Sequence, residues 1–184
     1  MILSKIIGEN VRILRKKRGW TQTRLAREIN KKTKHKKIGK SMISNYENGL
    51  GMEAYMFFSI CAVFKVDPDE MVKGNAKFSD DEKWCGFPKT LSDFQKRMRK
   101  NIKNAVNKNN IRKQDFDHDF DDIAWEFEIF GENDNLAEIS SWRYRNKSEI
   151  LGNLKIERLF VLSQCLNISL KKIVEIRKVR FYEI

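Results

Sequence analysis

WTQTRLAREI, residues 20–29, and IGKSMISNYENG, residues 38–49, decide the fold of this chain. The first segment predicts a short helix that begins at an N-capping Thr21 and is closed by Asn30. The second predicts another short helix, which ends at Gly49. Apolar residues recur at helical spacing in both segments, so each helix is expected to bury one side. The side chains expected to face inward are Leu25, Ala26, Ile29, Met42, Ile43 and Tyr46.

Three more helices are predicted around this pair. Residues 2–18 carry apolar residues at helical spacing with Arg and Lys between them, and Gly19 ends that helix. A helix at about 52–65 is apolar on nearly every side, and Pro68 starts a further one after a capping Asp67. With the pair above, these three helices predict a five-helix domain in the first part of the chain. One small core cannot cover the helix at 52–65 on every side, and such an excess of apolar surface indicates an interface.

The same pattern returns later in the chain, which indicates a duplicated domain. Three pairs of segments align in the same order: 52–72 with 154–174, 40–50 with 136–146, and Val11 and Leu14 with Ile102 and Ala105. The first of these pairs aligns at a constant offset of 102 residues.

The predicted fold class is all-α, with two tandem five-helix domains. The predicted parts are a first domain at 1–75, a linker at 76–91, a divergent second domain at 92–175 and a C-terminal tail at 176–184. Gly86 and Pro88 break the periodicity in the linker. The tail ends in RKVRFYEI, whose alternation is typical of an edge strand.

The net charge of the chain indicates which class of partner it binds. The net charge of +12 favours a polyanion, either a nucleic acid or an anionic membrane surface. Residues 1–75 hold 16 Lys and Arg against 7 Asp and Glu, a net charge of +9, so most of the net positive charge lies there. The longest apolar run, 55–64, has about half the length of a bilayer span. We therefore expect a soluble, cytoplasmic protein with no membrane partner.

No residue pattern indicates catalysis, a metal or a cofactor. Cys61, Cys85 and Cys165 form an odd set without C-x-x-C spacing, which argues against a disulfide framework and a zinc site. His35 and His118 have no Cys or His neighbour at ligand spacing. The sequence also contains no phosphate-binding loop or nucleophile elbow. We therefore predict that the protein is not an enzyme and uses no cofactor.

The two segments quoted first resemble the helix-turn-helix of the phage repressor and Cro family, the XRE type. In that family a Thr-Gln opens helix two, Leu-Ala packs it, and the recognition helix carries an Ile-Ser pair, an aromatic residue, an acid and a terminal Gly. The residues that agree are Thr21, Gln22, Leu25, Ala26, Ile43, Ser44, Tyr46, Glu47 and Gly49. The resemblance covers residues 6–73 and implies a DNA-binding domain of phage or bacterial type. The segment between helices two and three is longer than in the family, so a tight turn is not expected there.

The recognition helix is expected to read bases through Lys40, Ser41, Ser44 and Asn45. A helix in the major groove recognises base edges through hydrogen-bonding side chains. Lys40 can reach guanine O6 and N7, and Asn45 can pair with adenine N6 and N7, each contributing about 1 to 3 kcal/mol of discrimination.

Contacts to the sugar–phosphate backbone are expected beside this helix. The resemblance places Gln22 and Asn48 against the backbone. The run KKTKHKK at 31–37 adds Lys36 and Lys37. That run either lies along flanking phosphates or in a minor groove, or it is simply a solvated loop.

The second domain offers a poorer surface for DNA. Acids cluster at 115–122 and would repel phosphate unless they face away. Its second helix begins either at 111–116, IRKQDF, or at 120–127, FDDIAWEF. The candidate DNA-binding residues of this domain are Asn135, Ala137, Ser141, Arg143, Arg145 and Lys147. Contact with a protein partner is an equal alternative for this domain.

Together these patterns predict a sequence-specific transcriptional regulator that occupies double-stranded DNA, by resemblance a repressor. The alternative is a helix-turn-helix scaffold that binds a protein, as an inhibitor or antitoxin-like factor does, and the acidic run favours it. The apolar fourth helix leaves two arrangements open. Either the two domains mimic a dimer within one chain, or helix four or the tail supports a homodimer.

Overall fold

The computed structural model describes residues 2–33, 37–74, 76, 78, 87–88, 90–109 and 154–175. Across these residues the chain forms eight helices and no strand. In chain order they are α1 Ile2–Lys17, α2 Gln22–Lys32, α3 Lys40–Glu47, α4 Ala54–Phe64, α5 Pro68–Met71, α6 Leu91–Lys108, α7 Ile156–Cys165 and α8 Leu170–Val174. The edge strand predicted in the tail lies outside the described residues.

Local signals fix the end of α1 and the starts of α2 and α5 where the sequence predicts them. Gly19 follows α1 with a φ of +63°, a left-handed conformation that glycine adopts without steric cost. The Thr21 hydroxyl accepts from the Arg24 N–H at 3.1 Å and caps α2. The Asp67 carboxylate caps α5, whose first residue is Pro68. The predicted starts of α2 and α5 are therefore confirmed.

The predicted end of α2 is wrong, because Asn30 lies within this helix, which continues to Lys32. The Asn30 side chain instead crosses to the far end of the turn. Its Nδ2 donates to the Ile38 carbonyl at 2.8 Å, and its Oδ1 accepts from the Ile38 N–H at 3.0 Å. These two bonds close the long segment between α2 and α3. Ile38 is buried and thereby anchors the start of α3 to the core.

Gly8 lets α1 and α3 approach each other at backbone distance. A Cβ atom built on Gly8 would clash with the carbonyl oxygen of Tyr46, at the end of α3. Ile43 packs into the apolar core, and burial raises the pKa of Tyr46 to about 12. The position of α3 is therefore set by its close approach to α1 and by the burial of its apolar side chains.

All eleven residues of α4 are buried, and helices from later in the chain complete their cover. Phe94 of α6 packs on Tyr55 and Phe58 with ring centroids 5.5 Å away in each case. Phe87 packs on Tyr55 at 5.2 Å, and α7 lies against α4. The apolar face of α4 that the sequence indicates as an interface is therefore covered by other residues of this chain.

Backbone pairing joins the segments that precede α4 and α7. Glu53 and Lys155 form an isolated antiparallel bridge. Its hydrogen bonds run from Ala54 N to Leu154 O at 2.7 Å and from Ile156 N to Met52 O at 2.9 Å. Farther along, Asp69 accepts from the N–H groups of Leu170 and Lys171 at the start of α8.

Asn10 and Asn101 make similar contacts in two parts of the structure. Asn10 of α1 donates to the Met71 and Lys73 carbonyls at the end of α5. Asn101 of α6 donates to the Ile173 and Glu175 carbonyls at the end of α8. Both α4 and α7 are followed by a left-handed residue that is not glycine, Lys65 at φ 57° and Asn167 at φ 48°.

We expect Gly8→Ala to destabilise the protein although alanine favours helices. The added methyl meets the backbone of α3, and overpacking of this kind costs about 1 to 3 kcal/mol. Urea unfolding measures the loss, and Gly74→Ala is the control, because a Cβ there has no atom within 4 Å. A Gly8→Ala protein as stable as its parent would contradict the close approach of the two helices.

Candidate nucleic-acid interface

The buried carboxylate of Glu47 fixes the end of α3 to α1 and α2. Arg15 binds both Glu47 oxygens, with Nη2 to Oε2 at 2.9 Å, and Gln22 Nε2 donates to Oε2 at 2.9 Å. The Glu47 side chain is only 2 % exposed. Burial raises its pKa, but the hydrogen bonds from Arg15 and Gln22 and the neighbouring positive charges outweigh that effect, so the pKa lies below the usual value. Glu47 is therefore held as a carboxylate.

Two arginines of α1 extend this anchor. Arg12 Nη2 donates to the Glu47 carbonyl at 3.0 Å and to Asn48 Oδ1 at 2.9 Å. Arg15 Nη1 donates to the Trp20 carbonyl at 2.8 Å. Because a guanidinium group carries several donors in a fixed plane, Arg15 binds the Glu47 side chain and the Trp20 backbone at the same time. The turn before α2 and the end of α3 are thus set by the same helix.

Trp20 steadies the start of α2 from the other side. Its ring stacks on Phe64 with centroids 5.9 Å apart. The guanidinium carbons of Arg18 and Arg24 lie 5.1 and 5.3 Å from the Trp20 ring centroid, within the range of cation–π attraction. Arg18 also donates to the Phe64 carbonyl at 2.6 Å. Trp20 and Arg18, which lie between α1 and α2, therefore hold the start of α2 against Phe64 of α4.

With its inner side fixed, α3 turns a polar strip outward. Lys40, Ser41 and Asn45 are exposed, and Ser44 is half-buried. Lys37 is exposed in the turn that leads to this helix. The structure therefore brings together five of the residues that the sequence suggests for DNA contact.

The two residues expected to contact the backbone by resemblance take part in the anchor. Gln22 is half-buried and uses its amide on Glu47, while exposed Asn48 accepts from Arg12. Lys36 lies outside the described residues. The same holds for the second-domain candidates Asn135, Ala137, Ser141, Arg143, Arg145 and Lys147.

An open groove between α2 and the start of α3 adds Thr23 and Arg27, which the motifs did not indicate, and brings them together with Lys31 of the lysine run. Thr23, Arg27 and Lys31 line it along α2, opposite Gly39 and Lys40, over a floor of Ala26 and Ile38. The first three are spaced four residues apart, so they share one exposed helix face. That spacing was the signal available in the sequence.

The groove is positively charged. None of the residues that line it is acidic. Arg27 and Lys40 are exposed, and Lys31 pairs at 3.0 Å with half-buried Glu28. The hydrogen bond from Lys31 lowers the pKa of Glu28. A polar strip beside a basic groove can bind base edges and phosphates together.

Residues 11–71 match the family model described as helix-turn-helix. Over these residues the chain is therefore similar to the helix-turn-helix family. The match ends at the close of α5 and leaves α6, α7 and α8 uncovered. Neither the curated proteins nor the solved structures contain a match to the chain. Among the described helices, none combines the length and the apolar character needed to cross a membrane.

We expect Glu47→Gln to destabilise the packing of α3 on α1 and α2 in a pH-dependent way. Charge-assisted hydrogen bonds of this kind contribute about 1.5 to 3 kcal/mol. Because the folded-state pKa of Glu47 lies below the usual value, this contribution is fully present above about pH 4.3 and is lost as the pH falls through the folded-state pKa. Urea unfolding at pH 7 and at about pH 3 measures the difference between variant and parent, which should shrink in acid.

Glu9→Gln is the matched control. Glu9 pairs with Arg12 at 3.1 Å, but its side chain is 55 % exposed. Exposed pairs contribute about 0 to 1 kcal/mol. Equal losses for the two variants at pH 7 would show that the buried carboxylate does not anchor α3.

Proposed function

We propose that the protein is a sequence-specific DNA-binding transcriptional regulator that acts as a repressor by occupying its operator. The observation that carries the proposal is the exposed polar strip of α3, held rigidly by Glu47 and bordered by a basic groove. A reading helix must keep a fixed pose, because a base contact requires hydrogen bonds of defined length and direction.

Base recognition falls to the outward side chains of α3. Lys40 supplies donors that suit guanine O6 and N7, and the Asn45 amide suits adenine. Ser41 and Ser44 are small enough to let the helix backbone approach the bases, and their hydroxyls can donate or accept. The strip thus combines specific contacts with close approach.

Phosphate binding falls to the groove and the long turn. Arg27 and Lys31 on α2 and Lys37 in the turn bring positive charge to the same side as α3. Gly39 caps α3 without a side-chain hydrogen bond, which leaves N-terminal amides of α3 available to an anion. Lys37 therefore adds to the basic surface while Asn30 keeps α3 in place.

We also propose that the chain is a tandem repeat of one five-helix domain. The bonds that Asn10 and Asn101 make to the ends of α5 and α8 support it. So do Arg18 and Asn109, which donate to the carbonyls of Phe64 and Leu166 at the ends of α4 and α7. Such contacts do not follow from apolar periodicity alone.

The test of sequence recognition begins with selection of a preferred duplex from a random pool by the full chain. Lys40→Ala and Asn45→Ala are each expected to reduce the preference for that duplex over random DNA by about 1 to 3 kcal/mol, roughly 5- to 150-fold. Titration of both duplexes measures it. Lys16→Ala, which removes an exposed lysine from α1, is the control and should keep the preference. A pool that yields no preferred duplex would favour the protein-binding alternative.

Arg27→Ala is expected to act on affinity rather than on preference. Loss of one phosphate contact reduces the slope of log K against log salt by about 0.9 and weakens selected and random duplexes alike. Titrations at several salt concentrations measure the slope for parent and variant. An unchanged slope, or a loss confined to the selected duplex, would place Arg27 away from the phosphates.

A further inference from the structure

The backbone bridge between Glu53 and Lys155 is unchanged when the first and second halves of the chain are exchanged. Glu53 pairs with Lys155, which is the residue 102 positions later. Adding 102 to Met52 and Ala54 gives Leu154 and Ile156, and these four supply the two bridge hydrogen bonds. Exchange of the two halves therefore exchanges one bond for the other. A contact with this property has a local two-fold axis, as the interface of a symmetric dimer does.

The helices beyond the bridge follow the same relation. α4 packs on α7 and α5 packs on α8, and in each pair the two members correspond at the 102-residue offset. Hence each half offers the same pair of helices to the other, as the two copies in a symmetric dimer do.

Charge has diverged across this two-fold axis. Glu53 of the first half faces Lys155 of the second. Asp69 corresponds to Lys171 at the same offset, and Lys171 Nζ lies 3.0 Å from Asp67. Asp69 also caps the start of α8 by accepting from Leu170 N at 2.8 Å. The first half thus contributes acids and the second half contributes bases.

This divergence favours pairing within one chain over pairing between copies. Two first halves placed on the same axis would set Glu53 against Glu53, and two second halves would set Lys155 against Lys155. Like charges placed opposite each other are destabilising. Moreover, α4 is buried along its whole length, so the chain leaves no apolar α4 face for another copy.

We infer that this protein is a dimer built into one chain, and that a single chain binds a duplex with two unlike recognition elements about one helical turn apart. The inference rests on the proposed function. Dimeric helix-turn-helix proteins span half-sites about 34 Å apart through their two-fold axis. The elements are unlike because the segments that align with each other differ: Lys40 and Ser41 correspond to Leu136 and Ala137.

Stoichiometry gives the first test. Sedimentation equilibrium of the full chain at micromolar concentration should give the mass of one chain. Titration of the selected duplex, with the complex mass measured by native mass spectrometry, should give one chain per duplex. A free dimer, or two chains on one palindromic duplex, would overturn the inference and leave the proposed function intact.

Operator geometry gives the second test. Insertion of about five base pairs between the two elements turns one of them to the opposite side of the duplex and should weaken binding roughly tenfold or more. Insertion of the same length outside both elements is the control. A selected duplex with one element, whose flanks can be randomised without loss, would also overturn the inference. If selection yields no preferred duplex, the proposed function fails and the two-element mode fails with it, even for a monomeric chain.

A variant at the two-fold contact links these tests to the structure. Asp69→Ala removes the cap on α8, whereas Glu70→Ala removes the same charge from a neighbouring position whose partner, Lys73, is in the same half. Asp69→Ala should lower affinity for the two-element duplex toward that for a duplex with the first element alone, and leave the latter unchanged. Glu70→Ala should change neither. Should Asp69→Ala unfold the chain, the stoichiometry of the unmodified chain still decides.

Discussion

The buried Glu47 carboxylate is the interaction on which the candidate DNA surface depends. α3 has only eight residues and ends beside it, and a helix this short is not stable by itself. Arg15 and Gln22 hold the carboxylate from two other helices, so three elements meet at one charge. A buried carboxylate without hydrogen-bond partners has a high free energy. Any displacement of α3 that separates Glu47 from Arg15 and Gln22 is therefore unfavourable. The outward strip is rigid because its inward end is fixed.

Much of the first domain could be predicted from local sequence signals. Capping residues such as Thr21 and Asp67 act within one helical turn, so their effect is visible without knowledge of the fold. Asn30 shows where such reasoning ends. Its amide side chain resembles a helix-closing residue, but it bonds to Ile38 across a turn whose path depends on tertiary packing. The local preference was overridden by a partner eight residues away.

The candidate site could likewise be predicted only in part from the sequence. The exposed residues of α3 follow from helical periodicity once Ile43 and Tyr46 are assigned to the core. The groove could not be predicted from periodicity, because its two walls come from separate helices. The distance between these helices is set by the bonds between Asn30 and Ile38. The resemblance suggests that Gln22 contacts the sugar–phosphate backbone, and that stays a prediction. The hydrogen bond from its Nε2 to Glu47 could not be predicted from the motif, because it depends on how α2 packs against α3.

Excess apolar surface predicts that a partner exists but not which one. The α4 sequence indicates that more must cover this helix than the first five helices provide, and the cover comes from Phe94 and α7. Hydrophobic burial has no directional preference, so a second copy would have satisfied it equally well. The polar contacts at the edge of this apolar contact favour cover from the same chain. There Asp69 caps α8, and Glu53 pairs with Lys155. Since two copies of one segment would set like charges against each other, these polar contacts favour the pairing of two different segments of one chain.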